Sequence, residues 1–266
     1  MWHGDYLYLI QNLVMKDFRI RYRNMSLGVL WSLLNPIVMM GVMTFVWTQI
    51  FKSTLPHFPL FILCGMVPYN FFSIAWSGGT TSIVDSAGLI KRLPVPREVV
   101  PVSTVLSCSI HLLVRVALLL VIAIGSHVPV NVEWFWLPVV WALEIVFLSG
   151  LSLLTAAANV FVRDTRYIVE STNLVMLWLV PVFYDFAVIP QKYKDIYQWN
   201  PLAALVIVMR RIVYEGVSPN GASTNLDPRA WWQVGTMWNL VLASFTVFFI
   251  GLLVFRRMKP MFYEHI

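Results

Sequence analysis

The feature that most constrains this chain is a series of long apolar runs, near 27–51, 58–82, 98–125, 134–161, 167–187 and 231–255. Each holds about 20 residues or more, enough for a helix to cross a hydrocarbon core of about 30 Å. Such a segment inserts in lipid only if its backbone groups bond within it, as in a helix. Composition agrees: 59% of the 266 residues are hydrophobic and 12% are charged, where a soluble domain carries about 25% charge. The mean hydropathy is +0.72. So few charges cannot cover a globule facing water on every side. The expectation is an all-α integral membrane protein with six transmembrane helices. It forms one transmembrane domain over 27–266, preceded by a cytoplasmic appendage over 1–26.

Charge sets the expected topology. The net charge is +6, but the basic residues flank apolar runs rather than forming a face for nucleic acid. Lys16, Arg19, Arg21 and Arg23 precede span one, Lys91, Arg92 and Arg97 follow span two, and Arg163 and Arg166 follow span four. Arg256, Arg257 and Lys259 close the chain. Spans alternate direction, so all these clusters fall on one side, and the excess of Lys and Arg marks it as cytoplasmic. Both termini are expected there. The first 26 residues lack a continuous apolar core and a small-residue cleavage site, so no signal peptide is expected. Cys64 and Cys108 lie inside apolar runs and read as buried hydrophobes rather than a disulfide or metal site.

The segment 200–213, NPLAALVIVMRRIV, has only a short apolar stretch before Arg210 and Arg211. It is too short to span. A re-entrant or interfacial helix on the outer face, between spans five and six, is expected instead. Asn200–Pro201 supplies its start.

Five further features can carry a mechanism. In the N-terminal segment Tyr6, Ile10, Val14, Phe18, Tyr22 and Met25 fall on one helical stripe, with Lys16, Arg19 and Arg23 opposite. That pattern fits an amphipathic helix over 4–24 in the membrane plane. Arg21 projects with Val14 and Phe18, so it must snorkel, pair or meet a phosphate. The loop VDSAGLIKRLPVPR offers Ser82-x-x-Asp85 as a cap for a short helix that Pro94 and Pro96 stop, a shape suited to docking. In NVFVRDTR, Arg163 and Asp164 either anchor the turn or contact a partner. Arg115 and Glu144 lie at similar depth in neighbouring antiparallel spans, with His111 one turn from Arg115. Isolated charges there are costly, so they are expected to pair. Trp134, Phe135, Trp136, Trp231 and Trp232 sit at span ends as interfacial anchors. Trp47, Trp76, Trp178, Phe183 and Tyr184 lie within or at the outer ends of spans, where flat rings can stack on sugars.

What the sequence lacks also directs the reading. It has no phosphate-binding loop of the form G-x-x-x-x-G-K-[ST], no metal cluster and no catalytic signature. Basic cytoplasmic loops without an engine suggest a subunit driven by another protein.

Four stretches in order, KDFRIRYRNMSLGVLWSLLNP (16–36), LIKRLPVPREVVPV (89–102), NVFVRDTRYI (159–168) and PVFYDFAVIPQKYKDIYQWNPL (181–202), resemble the membrane subunits of ABC-2 type exporters. The branch they resemble moves polysaccharides, polyol phosphates and O-antigens. The resemblance spans essentially the whole chain. It implies a homodimeric permease, with no catalytic or metal site of its own, bound to two copies of a separate ATPase that holds ATP and Mg. It further implies a coupling helix at 84–93, with Asp85, Leu89, Ile90, Lys91 and Arg92, and adds Arg163 and Asp164 as ATPase contacts. A gate helix at the N-terminus would place Arg19, Arg21 and Arg23 near the pyrophosphate of a lipid-linked glycan. Trp47, Trp178, Phe183 and Tyr184 become candidates for lining a channel. Asp185 departs from the less charged residue of relatives. The expected function is O-antigen-like export across the inner membrane. The alternatives are a teichoic-acid or capsule exporter and, from another class, an integral transferase acting on lipid-linked sugars. His3, His57, His111, His127 and His265 are too scattered to favour the transferase.

Overall fold

The computed structural model describes residues 6–22, 31–53, 55–92, 95–128, 132–214 and 236–264, without the side chains of 21, 22, 31, 32, 187, 195, 196, 198, 236, 263 and 264. Arg23, Met25, Pro94, Trp231 and Trp232 lie outside the described residues, and of Arg21 only the backbone is described. Every regular element among the described residues is helical. They are α1 (Tyr6–Tyr22), α2 (Trp31–Phe45), α3 (Phe58–Asp85), α4 (Ala87–Arg92), α5 (Val99–Gly125), α6 (Leu137–Phe161), α7 (Thr165–Leu179), α8 (Gln191–Trp199), α9 (Pro201–Val213) and α10 (Thr236–Met258).

Among the described residues, five stretches are long and apolar enough to cross a membrane: Leu33–Ile50, Phe58–Asp85, Val99–Gly125, Val132–Phe161 and Met237–Phe262. The first ends in a π-helical turn, Val46–Ile50, and the fourth opens on a 3₁₀ turn, Val132–Trp136. The expected fifth span, 167–187, takes a different form. α7 is only 15 residues, roughly 22 Å by helical rise. It stops because Pro181 disfavours helical backbone in the residue before it, and Val180 is extended at φ −85° and ψ 139°. The chain then runs irregularly to a 3₁₀ turn at Phe186–Val188.

Two local expectations fare differently. Ser82 does not cap a new helix with Asp85: its hydroxyl donates to the Gly79 carbonyl at 2.7 Å, and α3 continues through Asp85. A serine that satisfies itself on the preceding turn leaves the helix intact. The break comes at Ser86, whose carbonyl accepts from Leu89 and Ile90 to open α4. In contrast, α9 starts where the sequence points, with Asn200 Oδ1 accepting from the Leu202 N–H at 3.0 Å and Pro201 in the first turn.

α3 forms the centre of the bundle, packed on α5, α6, α9, α2 and α7. α6 and α10 make the closest crossing. A Cβ on Gly251 would lie 2.1 Å from the Gly150 carbonyl oxygen, and one on Gly150 would lie 2.4 Å from the Phe248 backbone. Glycine at both positions lets the two backbones touch, the usual device where lipid gives helices no hydrophobic drive to associate. The interior divides in two. A large cluster fills the centre and the end that holds α9. A small one, Ile83, Val100, Leu153, Ala156, Ala157, Val160, Phe255 and Phe262, fills the end that holds α4.

Candidate functional site

The functional candidates fall at the two ends of the bundle and along α1. At the α4 end Asp85, Lys91 and Arg92 are exposed, while Leu89 and Ile90 are half-buried. Ile90 packs against the small cluster, so α4 rests one face on the bundle and offers its charges outward. Arg163 and Asp164, in the turn joining α6 to α7, are exposed and form no ion pair among the described residues. The turn is held instead by Thr165, whose hydroxyl donates to the Val162 carbonyl at 2.7 Å. Asp164, Tyr167, Ile168, Ser171 and Val175 line an open cavity of about 510 Å³ on the outward face of α7.

Behind α4 lies a set of contacts that the sequence did not suggest. Arg97 is 6% exposed, donates Nη1 to the Lys259 carbonyl at 3.0 Å and sits 5.9 Å from the centre of the Phe262 ring. Lys259 Nζ donates to Glu98 Oε2 at 2.7 Å. Partial burial pushes the Glu98 carboxyl up. The hydrogen bonds from Lys259 and the Glu98 backbone, with the charges of Lys259 and Arg256, outweigh that and hold it below the ordinary carboxylate range.

α1 forms as a helix and packs along α5. Leu13 is its most buried side chain, Ile10, Val14 and Phe18 are half-buried, and the Phe18 ring stacks on His111 at 5.8 Å. Lys16 and Arg19 are exposed on the opposite side, with Lys16 3.6 Å from Asp17. Together with Tyr8, Gln11, Asn12 and Met15 they line an open cavity of about 830 Å³.

The expected Arg115–Glu144 pair is not formed. Glu144 is fully buried in α6, and neither carboxylate oxygen has a hydrogen-bond partner. Arg115 is buried on α5 with contacts of its own. Similar depth did not bring the two side chains together, because helical phase aims each one separately.

The aromatic candidates separate by environment. Trp178 is exposed, with its ring 5.7 Å from that of Phe183. Phe183 is 2% exposed and belongs to the core. Trp47 is half-buried and stacks on Phe58 at 6.3 Å. Trp76 is buried in α3 against Phe72. The Tyr184 hydroxyl donates to the Trp178 carbonyl at 3.0 Å and meets the Tyr197 hydroxyl at 3.3 Å, tying the end of α7 to α8.

At the α9 end the organising residue is Arg210, read from sequence only as the end of an apolar run. It is 6% exposed. Nη1 donates to the Tyr184 carbonyl at 2.9 Å, Nη2 donates to the Val182 carbonyl, and the guanidinium lies 3.6 Å from the centre of the Phe61 ring. Asp185 acts on it electrostatically. Gly65 makes the space, since a Cβ there would lie 2.9 Å from the Val182 oxygen and 3.2 Å from Nη2. The signal was present in α9: Arg210 shares a helical stripe with Ala203, Val206 and Val213, all buried.

Among the described residues, five stretches long enough to cross a membrane, an exposed short helix at one end and a buried short helix at the other are thus in place. A family model described as ABC-2 type transporter matches residues 8–214, from α1 to the end of α9. The chain belongs to the ABC-2 type transporter family. This ABC-2 protein is 26% identical over 261 residues to an O-antigen export system permease protein of Klebsiella pneumoniae, covering 98% of this chain and 94% of that one. It is 32% identical over 222 residues to an O-antigen export system permease protein of Myxococcus xanthus, covering 81% and 84%. A polysialic acid transport protein of Escherichia coli is 23% identical over 250 residues, covering 93% and 92%. As an ABC-2 protein the chain is the membrane part of a transporter, and its described residues include no group of His, Cys, Asp and Glu fit to hold a metal.

Proposed function

We propose that this chain is the permease subunit of an ATP-driven exporter that moves a lipid-linked polysaccharide of O-antigen type from the cytoplasmic to the outer side of the inner membrane. The observation that carries the reading is the near end-to-end alignment with an O-antigen export permease, over 98% of this chain and 94% of that one. α1, α4 and α9 therefore all lie within the shared region.

In this reading a separate ATPase, in two copies, binds ATP and Mg, and this chain works as a pair with a second copy of itself. α4, with Asp85, Leu89, Ile90, Lys91 and Arg92, seats in the ATPase, and Arg163 and Asp164 in the neighbouring turn add contacts. The α4 end then faces the cytoplasm, as do both termini. α7 is the fifth crossing, completed by the irregular segment after Leu179, and α8 and α9 dip in from the outer face. Arg19 and Arg21 on the entry helix, with Arg23 next to them in sequence, meet the anionic pyrophosphate, for which guanidinium groups are suited. Trp47, Trp178 and Tyr184 stand near the glycan path.

The test is reconstitution with the ATPase subunit that co-purifies with the chain. Lipid-linked glycan should become accessible on the far side of the vesicle only with hydrolysable ATP. Glycan modification without nucleotide, or transfer with no ATPase present, would replace this reading with a membrane transferase. A capsular polysaccharide is the second reading, favoured by the likeness to the polysialic acid transport protein over 93% of this chain. It is separated by which purified glycan stimulates the ATPase.

A further inference from the structure

We infer that the C-terminal segment Lys259–Glu264 is a clasp that makes α10 move with the coupling helix α4, with Arg97, Glu98, Lys259 and Phe262 as positioning residues. The inference rests on the reading of α4 as the ATPase contact.

The geometry behind it is local. α4 leaves the bundle through the break at Ser86 and returns through the stretch that opens α5. The first described residues of that return are buried: Val95, Pro96 and Arg97. A helix pressed from outside passes its displacement to whatever its two ends are fastened to. On the incoming side that is α3. On the outgoing side it is the start of α5, and there α10 takes hold. After Met258 the helix tightens into a 3₁₀ segment that turns Phe262 into the small cluster, at 0% exposure, with its ring 5.3 Å from Phe255 and 5.7 Å from Phe161. Arg97 holds that segment by its main chain at Lys259 and by the Phe262 ring. Glu98 holds the same lysine by its ammonium. Ile90 of α4 packs on the same cluster as Phe262. Displacement of α4 and the start of α5 must carry α10 along or break these contacts.

The consequence reaches the rest of the bundle. α10 lies backbone to backbone on α6 at Gly150 and Gly251. A pull on the clasp is therefore delivered to two long helices beyond α3 and α5.

The pair is open enough to test without emptying the core, since the Lys259 and Glu98 side chains are 36% and 24% exposed. Glu98→Gln and Lys259→Gln are made in the complex with its co-purified ATPase. Export is followed with polyprenyl-diphosphate-linked glycan extracted from the producing cells. The quantity read is glycan exported per ATP hydrolysed in the assembled complex. It should fall about twofold to thirtyfold in each variant, the range seen when a coupling route is altered. The exchanged pair Glu98→Lys with Lys259→Glu should recover most of it. Backbone amides of 87–92 should exchange hydrogen faster in Glu98→Gln than in the parent complex, which a merely local stabilising contact would not produce. An unchanged ratio overturns the clasp, and so does a loss of assembled complex that the exchanged pair fails to restore. If the parent complex itself shows no ATP-dependent export, the proposed function fails instead.

Discussion

Two buried arginines, one at each end of the bundle, are held in opposite ways. Arg210 and Arg97 are equally covered, at 6% exposure each. Arg210 is enclosed by α3, α9 and the segment after α7, and its two terminal nitrogens donate to main-chain carbonyls with an aromatic face against the guanidinium. Arg97 donates to a main-chain carbonyl on the 3₁₀ segment after α10, beside an ion pair that water reaches. Sealed donors on carbonyls cannot be exchanged for water without leaving buried groups unsatisfied. A water-exposed ion pair can open and close at small cost. The α9 end is sealed from water, and the α4 end keeps an ion pair open to it.

The sharpest way to break this comparison is Arg210→Ala. It strands the carbonyls of Val182 and Tyr184 and leaves a void over Phe61, a loss of about 4 kcal/mol from two buried acceptors and lost packing. Thermal unfolding in detergent would check it. Arg210→Lys should recover little, because one ammonium cannot reach two carbonyls and lie flat on a ring. Gly65→Ala comes next, at about 2 kcal/mol by the same measurement, since its Cβ meets backbone that cannot retreat. Arg97→Ala should cost about 1–2 kcal/mol, less than Arg210→Ala despite equal burial. If the two arginine variants unfold alike, the contrast between the ends is wrong.

Glu98→Gln is the smallest, under about 1 kcal/mol for a partly exposed pair, and it carries a pH signature. The folded carboxyl sits below its ordinary value. The stabilisation it provides is therefore complete above the ordinary carboxylate pKa and is lost as pH falls through the folded one. The stability gap between parent and variant should stay constant near neutrality and close below about pH 4. A gap that persists in acid would mean that shape rather than charge holds Lys259.

Much of the architecture was legible in the residues. Periodicity and run length located the long helices, and Asn200–Pro201 set the start of α9. Side-chain encounters were less so. Ser82 looks like a cap, yet its hydroxyl bonds back into α3, and sequence cannot say which acceptor a hydroxyl chooses. Arg115 and Glu144 share depth without sharing a face. Arg210 and Arg211 are adjacent and alike in composition, but one is buried and the other half-exposed, a difference set by helical phase against neighbours far along the chain.

By itself the sequence determined that this chain lives in a membrane as a helical bundle, because apolar runs of that length can satisfy their backbones in lipid only as helices. It also determined where its charges gather and, through four ordered stretches, its family. The tertiary structure alone decided which groups meet. It set Gly150 on Gly251, laid Arg210 on Phe61 and closed the chain's end onto Arg97 and Glu98. Those contacts join residues up to 162 positions apart, and only the packing of several helices at once fixes the rotation and height that bring them within reach.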